Sequence, residues 1–249
     1  MIARRALVLS GLLPATAAAA EALHALSSGA LEPALAAALG RWRSEGGGEV
    51  SVAYATAPGI AEQVAAGERP DLVLAPLSLV EQLGRAGELA AEPVALGTVG
   101  VGIAVREGAP APAIRDEASF REHLLAADAV VFNRSSTGMH VERLLDRMGL
   151  APALAPRTVR LPDGAGVLRR VAAGSGKEIA FAPTTEIRMF KDRGVRFVGP
   201  LPDGLQNRTA YAAGLLRGAN GKSEGRRLLA FLGTAAARRA MGEAGVEWR

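Results

Sequence analysis

The chain has 249 residues, of which 49% are hydrophobic and 22% charged, so it can bury a sizeable core in one large domain or two lobes. The absence of cysteine excludes disulfides, thiolate catalysis and cysteine-based zinc sites. The formal charge is +4, of which Arg4 and Arg5 supply two, and aromatic residues make up only 4%. This small, scattered charge and the few stacking side chains exclude a nucleic-acid-binding face.

The first twenty residues have the layout of a secretory signal peptide. A basic start at Arg4 and Arg5 is followed by the apolar run Ala6–Leu13 and by small residues at Ala17–Ala20. The apolar run is too short to span a bilayer, and small residues suit a cleavage site. We therefore predict a signal peptide over residues 1–20 and a mature protein located in the periplasm.

From Glu21 onward, strand-like and helix-like segments alternate, which is typical of an α/β protein with parallel sheets. The predicted strands of this first series are Leu23–Leu26, Glu49–Ala55 and Asp71–Ala75, followed by a longer extended run, Leu96–Val105. The predicted helices between them are Gly29–Arg43, Gly59–Gly67 and Leu79–Leu89. Leu31, Leu35, Leu39 and Trp42 fall on one stripe of the first helix, which indicates a face packed on a sheet.

A second series of alternations begins after residue 113. Its predicted strands and extended runs are Ala129–Asn133, Thr158–Leu161, Glu178–Ala182, Val195–Leu201 and Thr209–Leu216. Its predicted helices are Ser119–Ala126, Met139–Gly149, Ala165–Ala173, one after residue 184, and a long closing helix, Ser223–Gly245. The long extended segments near residues 100 and 200 predict two α/β lobes joined by two hinge strands, able to close around a ligand. Lobe one is predicted over residues 21–100 plus 205–249, and lobe two over 101–204.

Several predicted strands end in small hydroxyl or glycine residues that open a helix. Such clusters stand at His24–Gly29, Tyr54–Gly59, Phe132–Gly138 and Phe181–Glu186. The first turn of a helix has backbone N–H groups without partners and a partial positive charge. Because the carboxyl ends of parallel strands meet at one edge of a sheet, these loops predict a site for a small, oxygen-rich anion.

The run Leu23–Leu77 resembles the periplasmic molybdate-binding proteins, members of the type II periplasmic binding fold. Those proteins open with a strand ending in Ala-Ala-Ser-Leu, and Ala25–Ser28 stands in that place. The family continues with a strand, a turn, a helix with a central Gln, a Gly and an Asp before a hydrophobic run, and Ala55–Leu74 follows that order. The resemblance extends more loosely through Val130–Gly138, Leu168–Ala182 and Phe231–Ala236.

The resemblance implies that hydroxyls of the first two loops and backbone N–H groups of lobe two surround an oxyanion. Pro183 stands where the family has a tyrosine, and the neighbouring Thr184 can substitute for that donor. This chain also adds Arg134, with Ser135 and Ser136, to the lobe-two loop. The residues predicted to bind the ligand are Ser27, Ser28, Thr56, Arg134, Ser136, Thr137, Gly138 and Thr184.

The function that we predict is that of a monomeric periplasmic solute-binding protein of an ABC importer, with no cofactor, metal or catalytic activity. It would carry a small anion to a membrane permease. Molybdate or tungstate is the ligand that the resemblance implies. An organic carboxylate is the alternative, because the guanidinium of Arg134 suits a planar carboxylate and the family tyrosine is missing.

Two other classes of protein fit the sequence less well. A hydrolase using Ser27 or Ser136 needs a base, and the chain has no G-x-S-x-G motif or Ser, His and Asp set at motif positions. The effector half of a transcription regulator would follow a DNA-binding helix pair, and the predicted signal peptide stands in that place instead. The three histidines, His24, His123 and His140, lack the spacing of metal ligands.

Overall fold

The computed structural model describes residues 22–218 and 222–248, so the predicted signal peptide lies outside the described residues. The strands of the described part are β1 Leu23–Ser28, β2 Val50–Ala55, β3 Leu72–Pro76, β4 Val94–Arg106, β5 Ala129–Asn133, β6 Thr158–Leu161, β7 Glu178–Pro183, β8 Val195–Pro200 and β9 Arg208–Leu215. The helices are α1 Glu32–Ser44, α2 Ala57–Ala65, α3 Leu77–Arg85, α4 Glu117–Ala126, α5 Ser136–Arg147, α6 Ala151–Leu154, α7 Gly164–Ala173, α8 Thr184–Met189, α9 Lys222–Leu232 and α10 Ala235–Glu243. Short 3-10 turns lie at Gly29–Leu31, Ala155–Arg157 and Asp203–Leu205.

The strands follow one path in the order β2-β1-β3-β9-β4-β7-β5-β6, and β8 pairs with β4 beside it. The pairs of β1 with β2 and β3, and of β5 with β6 and β7, are parallel. The expected parallel pairs are present, but the sheet is mixed, because β9 and β4 run antiparallel to their neighbours. Strands β4 and β9 lie side by side in the middle of the strand order and run in opposite directions.

Strand β4 belongs to both halves of the molecule. Its residues 94–100 pair with β9, and its residues 101–106 pair with β7 and β8. We call β1, β2, β3, β9 and the helices on them the first lobe, and β5 to β8 with their helices the second lobe. The lobe boundaries expected from the sequence, at residues 100 and 205, stay a prediction.

Each lobe has buried side chains on both faces of its sheet. In the first lobe α1 packs on α10, and the rings of Trp42 and Phe231 lie 5.3 Å apart. In the second lobe Phe120 and Phe181 stack at 5.7 Å between the sheet and α4. Burying a side chain of this size contributes about 2 kcal/mol, so the two aromatic pairs help to fix each core separately.

The single closing helix predicted over residues 223–245 is wrong, because the chain there forms α9 and α10 with a break at Gly233 and Thr234. The Thr234 hydroxyl accepts a hydrogen bond from the Ala237 N–H at 3.2 Å and donates one to the Phe231 carbonyl at 2.7 Å. This hydroxyl caps α10 and ends α9, so the break is encoded by a residue that favours helix starts.

Among the described residues, no helix combines the length and apolar character needed to cross a membrane.

The pairing of β4 with β9 is irregular between Ala95 and Gly97, and the backbone of Gly97 there leaves no room for a side chain. Its φ is +86°, and a Cβ there would lie 2.6 Å from Val246 Cγ1 and 2.7 Å from the Glu247 carbonyl oxygen. We expect Gly97→Ala to lower the free energy of unfolding by about 2 kcal/mol or more, measured by urea denaturation. Gly40→Ala in α1 is the control, since a Cβ at Gly40 meets nothing and alanine favours a helix interior. Equal stability of Gly97→Ala and the native chain would contradict this account.

Candidate functional site

A cavity of about 180 Å³ opens between the lobes. It lies where six strands end: β1, β2 and β3 of the first lobe, and β5, β6 and β7 of the second. The residues around it are Ser28, Gly29, Ala30, Glu32, Tyr54, Ala55, Thr56, Ala57, Pro76, Asn133, Ser135, Ser136, Asp163, Gly164, Ala165, Pro183, Glu186, Met189 and Tyr211. The site is therefore formed at the carboxyl edge of the sheets, where α/β proteins bind their ligands.

Three of the residues predicted to bind a ligand line this cavity: Ser28, Thr56 and Ser136. Ser28 ends β1, and its buried Oγ has no hydrogen-bond partner in the described part of the chain. Thr56 precedes α2, and its hydroxyl accepts a hydrogen bond from the Gly59 N–H at 3.3 Å. Ser136 is the first residue of α5. Hydroxyls of both lobes thus face one space.

The other five predicted residues do not line the cavity. Ser27 is fully buried and donates to the Ser28 carbonyl at 3.3 Å. Arg134 has an exposed side chain, and its backbone N–H donates to the Leu161 carbonyl at 2.9 Å. Thr137, Gly138 and Thr184 are buried beside the lining residues. Contact of these five with a ligand stays a prediction, and their observed partners belong to the structure of the loops.

Asn133 organises the lobe-two loop. Its Oδ1 accepts hydrogen bonds from the Ser135 N–H at 3.1 Å and the Gly138 N–H at 2.9 Å. The Ser135 side chain makes no capping hydrogen bond, although Ser135 precedes α5. Because the Asn133 amide replaces it as the acceptor, the Ser135 hydroxyl remains available toward the cavity.

Three helices begin at the cavity, and their first residues have open backbone N–H groups. In the described structure, the amides of Ala57 in α2, Ser136 in α5 and Gly164 and Ala165 in α7 have no hydrogen-bond acceptor. Their side chains or backbones line the cavity. First-turn amides and the helix dipole together favour a negatively charged group. The three helix starts belong to different helices, α2 in the first lobe and α5 and α7 in the second, so more than one anionic group of a ligand can meet a helix start.

The chain contains two tyrosines, and both line the cavity. Burial raises the pKa of Tyr54 to about 12, with a further contribution from the charge of Glu32. Burial, and then the carboxyl of Glu186, raise the pKa of Tyr211 well above its usual value. Both phenols therefore keep their protons at neutral pH and can donate hydrogen bonds to a ligand.

Sequence reasoning missed both tyrosines because it looked for the family's tyrosine at Pro183. Tyr54 directly precedes the Ala55–Thr56 loop, which was a usable signal. Tyr211 reaches the cavity from β9, where it pairs with Pro76 in antiparallel register. A model with parallel strands only would not bring β9 beside β3.

Glu186 is a further residue of the cavity lining that the sequence analysis did not select. It lies in α8, is 6% exposed and lines the cavity, and its Oε2 has no hydrogen-bond partner within the described chain. Burial raises the pKa of Glu186 to about 8, and the charges of Asp163 and Glu32 add to that effect. At neutral pH this carboxyl is mostly protonated and neutral.

The Glu186 carboxyl approaches the backbone closely at two helix starts. A Cβ at Gly164 would lie 1.8 Å from Oε2, and a Cβ at Gly29 would lie 3.2 Å from Oε1. Only glycine leaves room for the carboxyl at the first residue of α7. The adjacent Asp163 caps this helix by accepting from the Gly166 N–H at 2.6 Å.

The electrostatic character of the lining is unusual for an anion site. It contains the acidic residues Glu32, Asp163 and Glu186 but no arginine, lysine or histidine. Hydroxyls, amides and one protonated carboxyl thus supply the donors. In the described part of the chain, no group of three or more His, Asp or Glu side chains is placed to hold a metal ion. The arrangement can bind a small anion through neutral donors and can exchange a proton with it.

A buried contact joins the lobes beside this cavity. The Thr185 hydroxyl donates to the Ala30 carbonyl at 2.6 Å, and both residues are buried. Thr185 lies in α8 of the second lobe, next to Glu186, whereas Ala30 lies in the turn after β1 of the first lobe. A buried hydrogen bond therefore joins the two lobes next to the lining residues Ala30 and Glu186.

Comparison with known proteins gives a family and a fold. The model of the family described as bacterial extracellular solute-binding protein matches residues 23–247. The Azotobacter vinelandii periplasmic molybdate-binding protein superposes with a TM-score of 0.75 at 13% identity, covering 91% of this chain and 99% of that one. The sulfate-binding protein SubI from Mycobacterium tuberculosis H37Rv gives 0.69 at 18% identity, covering 90% and 86%. The expected type II periplasmic binding fold is confirmed.

One relative with a named activity also matches nearly the whole chain. A protein described as aconitate isomerase, from Pseudomonas sp, is 27% identical over 232 residues, which cover 90% of this chain and 87% of that protein. Its identity to this chain exceeds that of the two superposed structures. The likeness to the two superposed structures shows the fold alone.

Proposed function

The chain belongs to the family of bacterial extracellular solute-binding proteins, and from this premise we propose that it binds a small organic polycarboxylate in the cavity between its lobes. The protein works in the periplasm and delivers its ligand, as a monomer, to the permease of an ABC importer. The ligand class is the organic carboxylate alternative of the sequence analysis, here extended to an anion with more than one carboxylate.

The observation that carries this proposal is the distribution of the donors over both lobes and over three helix starts. The open starts of α2, α5 and α7 and the two tyrosines stand around a cavity of about 180 Å³. A tetrahedral inorganic oxyanion carries its charge at a single centre. A polycarboxylate carries separate negative groups, and each can meet its own helix start.

One acidic residue of the lining, Glu186, supports the same ligand class. Glu186 is neutral at neutral pH, so its carboxyl can donate a hydrogen bond to a carboxylate oxygen. Donors held in fixed positions would lose their partners when a ligand of the wrong shape enters, which gives selectivity without a basic side chain. The relative described as aconitate isomerase supports the proposal, because aconitate is a tricarboxylate.

A panel of anions tests the proposal by thermal unfolding and titration calorimetry. We expect polycarboxylates such as aconitate and citrate to raise the melting temperature, with molybdate, tungstate and sulfate as comparison ligands. A ligand at a thousand times its Kd stabilises the folded state by about 4 kcal/mol, which is a large shift. Stabilisation by molybdate or tungstate alone would overturn the polycarboxylate assignment in favour of the inorganic oxyanion.

A pair of alanine variants localises the binding to this cavity. Gly164→Ala pushes a methyl group against the Glu186 carboxyl and should weaken polycarboxylate binding at least tenfold. Gly40→Ala, the same substitution where a Cβ meets nothing, should bind as the native chain does. Equal affinities of the two variants would place the ligand elsewhere.

A further inference from the structure

We propose that Glu186 accepts a proton from one carbon of a bound unsaturated polycarboxylate and returns it to another, so that the cavity isomerises its ligand. This inference rests on the proposed function for the ligand class. It adds a chemical step to a cavity that would otherwise only bind, and it assigns that step to one side chain.

The surroundings of Glu186 suit a proton carrier better than a structural residue. A buried carboxyl that only stabilised the fold would be expected to have hydrogen-bond partners, because burying an unpartnered polar group costs free energy. Glu186 Oε2 has none in the described structure, and the side chain is 94% removed from solvent while lining the cavity. Functional sites retain costly arrangements of this kind.

A second unpartnered atom supports a ligand at the same place. The buried side-chain atoms without hydrogen-bond partners in the described residues are Ser28 Oγ, Arg106 Nε, Glu178 Oε2 and Glu186 Oε2. Two of these four, those of Ser28 and Glu186, belong to the lining of this cavity. A bound carboxylate would supply the Ser28 hydroxyl with the acceptor that it lacks.

The charged and titratable groups around Glu186 tune it toward proton transfer. Asp163 at the start of α7 and Glu32 in α1 raise its pKa by repulsion, after burial, and Tyr211 of β9 faces the same carboxyl. With a pKa of about 8, roughly a tenth of the molecules carry the carboxylate at pH 7. A base of raised pKa takes a proton from carbon more readily than an ordinary glutamate does.

The proton balance closes without any cofactor. The Glu186 carboxylate takes a proton from a saturated carbon next to the carbon–carbon double bond, and the electron pair of that C–H bond moves into a delocalised anion over three carbons and an attached carboxylate. The carboxylic acid then gives the proton to the far carbon, and the double bond emerges one position along. Nothing is oxidised or reduced, and Glu186 ends in its starting form.

The delocalised anion formed between these steps needs stabilisation. Its added charge resides partly on the attached carboxylate, which gains negative charge relative to the ground state. The open amides of Ser136 in α5 and of Gly164 and Ala165 in α7 are fixed donors at the cavity wall. Donors held in place before the reaction stabilise developing charge without reorganising.

Deuterium incorporation separates this activity from binding. The native protein is incubated with cis-aconitate in D2O, and proton NMR follows both deuterium incorporation and formation of the trans isomer. We expect both with the native chain, and a rate that rises with pH toward about 8 as the carboxylate form is populated.

The matched variants are Glu186→Gln and Glu62→Gln, the second on an exposed residue of α2. Glu186→Gln keeps a hydrogen-bond donor, so it should still bind cis-aconitate measurably by calorimetry, and at saturating ligand it should lose at least a hundredfold in rate. Glu62→Gln should match the native chain in both measurements.

Each outcome of the experiment is decisive. Binding without exchange or isomerisation in the native chain overturns the inference and leaves the proposed function standing. An equal rate in Glu186→Gln and the native chain also overturns it, since another group would then move the proton. Absence of binding by every polycarboxylate overturns the proposed function, and the inference with it.

Discussion

Replacing Gly138 with alanine should abolish ligand binding and lower the free energy of unfolding by at least about 3 kcal/mol. A Cβ at this position would lie 1.5 Å from the Asn133 carbonyl oxygen and 2.6 Å from its carbonyl carbon. These are backbone atoms at the end of β5, so no side-chain rotation can relieve the overlap. The loop that places Ser135 and Ser136 at the cavity must move as a whole.

The movement also breaks the two hydrogen bonds that the Asn133 amide accepts from the Ser135 and Gly138 N–H groups. Urea denaturation measures the loss of stability, and calorimetry on the folded fraction measures the loss of affinity. Gly242→Ala in α10 is the control, because a Cβ there meets nothing. A Gly138→Ala variant with native stability and native affinity would show that this loop does not form the site.

Glu186→Gln should change how stability depends on pH. In the unfolded chain the carboxyl loses its proton near pH 4.5, whereas burial raises the pKa in the folded chain to about 8. Between these values the folded state binds more protons than the unfolded state, so the free energy of unfolding falls as pH rises. Below about pH 4.5 both states are protonated, and the contribution of this group is constant.

The glutamine variant removes this titration. Its stability relative to the native chain should therefore rise by about 3 kcal/mol between pH 5 and pH 8, measured by urea denaturation at each pH. Glu62→Gln on the exposed face of α2 should follow the native chain throughout. A constant difference between Glu186→Gln and the native chain over this range would mean that Glu186 titrates as an ordinary glutamate.

The fold was largely readable from the sequence, since local patterns carry most of the information. The strand ends predicted at Leu26 and Asn133 lie within two residues of those observed, at Ser28 and Asn133, because the small polar residues that follow are strong signals for where a helix begins. The break between α9 and α10 was missed because Ala-rich segments on both sides have high helix propensity. One threonine cap at Thr234 outweighs that propensity.

The site was only partly readable. Ser28, Thr56 and Ser136 line the cavity because each stands at the end of a strand or within three residues after it, which is a local property. Tyr211 and Glu186 depend on long-range placement: one needs β9 paired antiparallel with β3, and the other needs α8 packed against the turn after β1. No local pattern carries that information. Arg134, chosen for its charge, has an exposed side chain outside the cavity lining.

The hydrogen bond from Thr185 to Ala30 limits how the two lobes can move apart to let a ligand enter. This buried hydrogen bond joins the two lobes, with 2.6 Å between the Thr185 hydroxyl oxygen and the Ala30 carbonyl oxygen. Moving the lobes straight apart would leave the Thr185 hydroxyl and the Ala30 carbonyl without hydrogen-bond partners, which costs free energy. Opening is therefore expected to be a rotation of one lobe against the other about this contact, which keeps the Thr185–Ala30 hydrogen bond intact.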